Sequence, residues 1–269
     1  MRAYEYTTNS VKNFQQYSLA VRQELHRSHV HSTALTVGGS YIPSYYLRQL
    51  VDDDESVLAG TTIRNSADYS LQQVFIEVTQ ELVDRTLSVA TRYTHENRDY
   101  NDHFNERDST SSVASLDFNI YPAHNNHFRL RPYVEREQRE AAGDVASTAV
   151  VDDDAGFDSG MYGLEARWVW GPNSDHRQSF RVLLEKEDRT YNTTNSADTG
   201  HFDRQDSITQ YGIGYDRELG PEWKLRFSYR HRTNDVSTVS GTTPFTKNVA
   251  SAMLVYSFDS HAHRAGKRP

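Results

Sequence analysis

The residues best able to do chemistry in this 269-residue chain are charged, and they fall at alternate positions. Arg129, Arg131, Tyr133, Glu135, Glu137 and Arg139 stand two apart. So do Glu185, Glu187 and Arg189 after Arg181, and Lys224 with Arg226 and Arg230 with Arg232. Arg22 with Glu24, Arg92 with Glu96 and Arg98, Glu165 with Arg167, and Asp216 complete the set. In extended chain a spacing of two puts side chains on one face, so these runs form ladders of mixed sign. Arginine ladders along a water-filled path select anionic or sugar-like solutes. The same residues interlocked as Arg–Glu pairs would merely fill a closed interior. Arg129/Arg131 and the Lys224–Arg232 row have the best claim to line a pathway.

Other chemistries find little support. With no cysteine there is no disulfide scaffold, thiolate metal site or cysteine nucleophile. The pairs His29/His31 and His261/His263 have strand-like spacing but lie at a turn and a tail, and read as structural. The acidic runs Asp52–Glu55 and Asp152–Asp154 lack the spaced ligands and turn glycine of a calcium loop, and read as solvated charge. His95 beside Glu96, and His103 near Asp102 and Glu106, are starting points for acid–base work. No G-x-S-x-G, P-loop or dinucleotide fingerprint accompanies them. Asn192-Thr-Thr194 fits a glycosylation acceptor. A net charge of -8 argues against general nucleic-acid binding. No cofactor and no metal are expected.

The elements that must hold these residues are strands. Tyr17/Leu19/Val21/Leu25, Leu35/Val37/Gly39/Tyr41/Pro43/Tyr45/Leu47 and Leu87/Val89/Tyr93 each alternate apolar with polar. Ala114–Ile120, Phe128–Val134, Tyr162–Trp170, Phe180–Leu184, Tyr211–Tyr215, Trp223–Tyr229 and Ala250–Phe258 repeat the pattern. Val74, Ile76 and Val78 mark a weaker strand near 66–80, and residues 2–8 supply another, giving about twelve by the period-two template. Short connections near 27–31, 82–86, 122–127, 171–177 and 219–222 alternate with long polar ones at 51–65, 99–109, 141–157, 192–206 and 236–246. That rhythm describes an antiparallel up-and-down meander, all β, in one domain.

Aromatic content of 12% excludes disorder, and no run of about 18 apolar residues exists to form a membrane helix. A soluble sandwich or propeller also alternates, but its strands usually run about five or six residues. These runs are far longer. Tyr17, Tyr41, Tyr45, Tyr93, Tyr121, Trp168, Trp170, Tyr215, Trp223, Tyr256 and Phe258 sit near strand ends, where an interfacial girdle would stand. A mean hydropathy of -0.78 fits a barrel needing apolar residues only at alternate positions of a band about 25 Å tall. On these features the chain resembles bacterial outer-membrane β-barrels as a class, over nearly its whole length. The final strand, Val249 to Phe258 with its late Tyr256-Ser257-Phe258, looks like an outer-membrane assembly signal, although the chain continues to Pro269.

The resemblance implies a closed up-and-down transmembrane barrel over residues 1–258 with a tail at 259–269. Short turns would face the periplasm and long loops the outside. Its location would be the outer membrane, with a signal peptide removed. It implies outer-membrane lipid, lipopolysaccharide, the barrel-assembly machinery and a small polar solute as partners. The expected function is a passive channel for small polar or anionic solutes, lined by Arg22, Arg92, Arg129, Arg131, Tyr133, Glu135, Arg167, Arg181, Glu185, Lys224, Arg226 and Arg230. The alternatives are an enzyme at the extracellular rim, a non-conducting structural or adhesion barrel, and the export-pore domain of a larger secretion protein.

Overall fold

Alternating β-branched, aromatic and polar residues suit a pleated surface that differs on its two sides. The computed structural model describes residues 2–4, 14–27, 31–52, 59–122, 127–141, 156–171, 177–194, 196, 198, 200–220, 222–237 and 244–256. They form one 12-stranded antiparallel sheet in which every strand pairs with its sequence neighbours, in the order β1 to β12. The strands are β1 (Arg2–Tyr4), β2 (Phe14–Arg27), β3 (Ser32–Asp52), β4 (Ile63–Val83), β5 (Leu87–Tyr100) and β6 (Ser109–Ile120). Then come β7 (Phe128–Ala141), β8 (Phe157–Trp170), β9 (Gln178–Tyr191), β10 (Gln205–Glu218), β11 (Trp223–Val236) and β12 (Phe245–Tyr256). Connections at 28–31, 84–86, 121–127, 171–177 and 219–222 alternate with longer ones at 53–62, 101–108, 142–156, 192–204 and 237–244, the rhythm expected from sequence.

Register turns the local alternation into two continuous faces. Val21, Val37, Ile76, Tyr93 and Ala114 follow one another across β2 to β6. On the same face Leu116, Val134, Tyr162, Lys186 and Thr209 form the neighbouring rung across β6 to β10, and Leu164, Leu184, Tyr211 and His231 the one after it. A one-residue slip flips a strand's apolar set to the other side. The register shifts present, at Glu24/His26, Ile42/Tyr45, Tyr46/Arg48 and Glu81/Val83, lie outside these rungs. The opposite face carries Arg22, Thr36, Glu77, Arg92, Ser115 and Glu135 as one rung. Exposure is inverted relative to a water-soluble protein. Leu19 is 76% exposed and Trp168 58%, whereas Glu165 is 8% and Asp206 4% exposed. Large exposed apolar surface and enclosed charge are the informative departures from the soluble pattern.

Three sequence expectations are corrected or left open. The weak strand near 66–80 is half of the longest hairpin, with β3 and β4 each 21 residues long. Its first half, with Arg64, Asn65, Ser66, Asp68 and Ser70, carries little hydropathy contrast, so period two is faint there. Tyr45 does not sit on the apolar face. Register shifts between Ile42 and Tyr45, at Pro43, and the bulge carries Tyr45 to the charged face beside Tyr69, at 5.3 Å between rings. A bulge is where a strand proline is tolerated, because it lacks the ladder N–H. Closure is the third point: among the described residues no pairing joins β12 to β1 or β2, so the sheet runs open from β1 to β12. His29, Asp152–Asp154, Phe258, His261 and His263 lie outside the described residues.

Candidate functional site: the charged face of the sheet

Strand parity places all the candidate lining residues, from Arg22 on β2 to Arg230 on β11, on the one charged face. An ion taken from water is costly to leave alone, so enclosed charges need partners. Most have them. Arg131 Nη2 lies 2.5 Å from Asp117, and Arg129 pairs with Glu165. Arg98 pairs with Glu96 at 2.6 Å, and Arg139 with Glu137 and Arg189 with Glu187, both at 2.7 Å. Arg226 and Lys224 share Asp216 at 2.9 and 3.4 Å, and Lys224 also reaches Glu218 at 3.8 Å. Glu185 accepts hydrogen bonds from the Tyr133 hydroxyl and from Gln210. The Arg92 guanidinium instead lies 3.8 Å from the Phe75 ring centroid, where a cation gains from the ring quadrupole.

The exceptions are spread over the face. Arg22, Glu135 and Arg232 make no ion pair with a described residue. A further group, in which Arg181 and Arg230 are exposed, lies nearer the short-connection end. Arg129, Arg167 and Arg181 are direct cross-strand partners in succession, although like charges facing each other destabilise a sheet. Glu165 serves Arg129. Arg167, Arg181 and Arg230 make no ion pair with any described carboxylate. Beside them β10 contributes only Gly212 and Gly214 to this face, so the floor there is bare backbone. A Cβ built at Gly214 would lie 3.6 Å from Arg181 Nε and Nη2, which shows the guanidinium leaning over the glycine toward β11. On the same rung the hydroxyls of Ser228 and Ser251 are 2.7 Å apart.

The long-connection end is packed differently. Phe104, from the 101–108 connection, is fully buried against Leu50 and Ala67, with Tyr100 beside it. Tyr100 in turn meets Tyr69 at 5.1 Å between rings. Asp108 accepts the Tyr100 backbone N–H at 2.6 Å, yet its desolvation dominates and raises its carboxyl above the ordinary value. In the 192–204 connection Asp198 accepts the backbone N–H groups of Gly200 and His201, both at 3.1 Å. Arg204 forks onto Asp206 at 2.7 and 2.8 Å, which raises its already high pKa, and lies 4.7 Å from the Tyr191 ring centroid.

The catalytic starting points stay apart. His95 is on the exposed apolar face, 3.5 Å from Ser112 Oγ, while His103 Nδ1 is 3.2 Å from Asn65 in a connection. Among the described residues no group of His or acidic side chains could hold a metal ion. Sequence reading missed Asp117, the partner of Arg131, because one acid between Leu116 and Phe118 gives no ladder of its own. It also missed Gly212, Gly214, Ser228 and Ser251, whose role is visible only once β9, β10, β11 and β12 are in register.

No protein-family profile and no curated protein matches the chain. Among solved structures it is similar to the beta domain of the Bordetella autotransporter Brka, at 14% identity over 91% of each chain with a TM-score of 0.46. It is also similar to the siderophore receptor PiuA from Acinetobacter baumannii, at 9% identity with a TM-score of 0.38, over 90% of this chain and 44% of the receptor.

Proposed function

We propose that the sheet closes into a single outer-membrane β-barrel over residues 1–258, followed by a tail at 259–269, and that it conducts small polar solutes, anions preferentially. The observation that carries this reading is the inverted pair of faces. A register-aligned apolar band is exposed, and the face behind it carries the charged ladder, with Glu165 and Asp206 buried. In hydrocarbon, exposure of Leu19 and Trp168 is favourable and only inter-strand pairing satisfies the backbone. The charged face then lines the lumen, with the short connections periplasmic and the long ones outside. Arg167, Arg181 and Arg230 leave positive charge that no described carboxylate neutralises, which favours anions.

Purified protein refolded into planar bilayers should give single-channel steps and a reversal potential displaced toward the anion side in a potassium chloride gradient. Folded protein without steps would remove the channel, and a chain that is monomeric and soluble without detergent would remove the membrane assignment.

A further inference from the structure

We propose that Arg167, Arg181 and Arg230 form a discrete binding site for a soluble phosphate-type oxyanion, not merely a diffuse positive stretch of wall. The inference rests on the reading of this face as water-filled, and it goes further by assigning a ligand class to one place on it. Neighbouring carboxylates are already engaged. Asp117 binds Arg131, Glu165 binds Arg129, Asp216 binds Arg226 and Lys224, and Glu185 accepts from Tyr133 and Gln210. The guanidiniums of Arg167, Arg181 and Arg230 therefore have no carboxylate partner among the described residues, though Arg129, Arg167 and Arg181 are placed directly beside one another.

The surroundings are shaped for a guest. Arg181 on β9 and Arg230 on β11 flank β10, whose residues between them are Gly212 and Gly214. No β10 side chain rises between the two strands, so an anion can settle onto the backbone with a guanidinium fork on either side. Arg181 already leans over Gly214. The paired hydroxyls of Ser228 and Ser251 lie on the Arg181 rung and can donate to a further oxygen. Planar forks match the paired oxygens of a phosphate and gain far less from a spherical halide. The cluster faces away from the apolar band, so a phospholipid whose chains rest on that band could not present its headgroup here. The ligand is accordingly a free solute.

The test uses the full chain folded in lipid-free neutral detergent, titrated calorimetrically with sodium pyrophosphate at constant ionic strength set by chloride. Saturable one-to-one binding is expected. The double substitution Arg167→Gln/Arg181→Gln should weaken it at least tenfold, Arg181→Lys should weaken it less, and Arg136→Gln on the apolar face should leave it unchanged. No saturable heat, or equal affinity in wild type and the Arg181→Lys and double variants, would overturn the site. If the double variant does not refold, Arg181→Lys alone decides. Pyrophosphate should also reduce single-channel current in wild type. Binding without any channel steps would sink conduction and leave the site standing; steps with neither binding nor block would do the reverse.

Discussion

At Gly163 a single missing Cβ lets two strands communicate across a third. Gly163 on β8 is the direct partner of Tyr133 on β7, and a Cβ there would overlap the tyrosine ring. The ring lies down over β8, and its hydroxyl donates to Glu185 on β9. Gly38 under Phe75 is the same device, with Arg92 above the ring. Gly163→Ala should lift Tyr133 off β8 and cost about 1–3 kcal/mol, the range for overpacking a filled site. Tyr133→Phe should cost about 1.5–3 kcal/mol, as for a lost hydrogen bond to a charged group. Urea unfolding of vesicle-inserted protein measures both, and a Gly163→Ala variant as stable as wild type would show that the ring has room to move. Parity alone was enough to read the face of Tyr133 and of every arginine in the ladder. The glycine beneath it was not readable, because knowing which residue lies opposite requires the register. Tyr45 was misplaced for a related reason: period two breaks at the Pro43 bulge, and a local pattern does not reveal a bulge until pairing is known.

Along a single strand the exposed face changes character with depth. On β10 it runs Tyr215, Ile213, Tyr211, Thr209, Ser207; on β9 it runs Phe180, Val182, Leu184, Lys186, Asp188. On β8 Trp170, Trp168, Ala166, Leu164 and Tyr162 precede Gly160 and Asp158. From Trp170 to Tyr162 is about 26 Å along the strand at about 3.3 Å per residue. At a barrel-strand tilt of about 40° that is about 20 Å of height, most of an apolar band about 25 Å tall. Aromatic residues mark both limits, with Trp168 and Trp170 5.4 Å apart at one end and Tyr211 stacked on His231 at 4.6 Å at the other. A lysine in this band must lose its hydration or drag water inward, whereas one at the rim reaches the headgroups. Ile213→Lys should therefore cost about 2–4 kcal/mol and Thr209→Lys no more than about 1 kcal/mol. Equal costs in vesicles would mean that depth does not matter and that the face is not in lipid. Sequence made the band's composition legible, since each strand carries its own alternation. The full extent of β4 was hidden, because its loop-side half has polar residues on both faces, whereas β3 was legible as far as Arg48.

Across the whole molecule, the inverted faces and the open edges pull against each other. An exposed apolar band belongs in lipid, but a free strand edge in lipid leaves N–H and C=O groups unsatisfied at several kcal/mol each. Twelve strands relieve this conflict only if β12 meets the other end of the meander. The chain has no cysteine, so any introduced pair reports without background. Ala20→Cys on β2 can be combined in turn with Val249→Cys, Ser251→Cys and Met253→Cys on the charged face of β12. A parallel series combines Tyr4→Cys on β1, whose register partner Phe14 is on the Ala20 face of β2, with the same β12 positions, since β1 pairs along β2 and could be the strand that closes the ring. A disulfide forms only where the Cα atoms come within about 4.4–6.8 Å, so membrane-folded protein should cross-link strongly in one register of one series and poorly in the registers two residues away. That selectivity separates closure from random collision, because a shift of two residues keeps the same face but moves the partner by about 7 Å along the strand. Cross-linking in no register of either series would leave both edges free. The exposed apolar band would then have to be covered by something other than a bilayer around a closed ring.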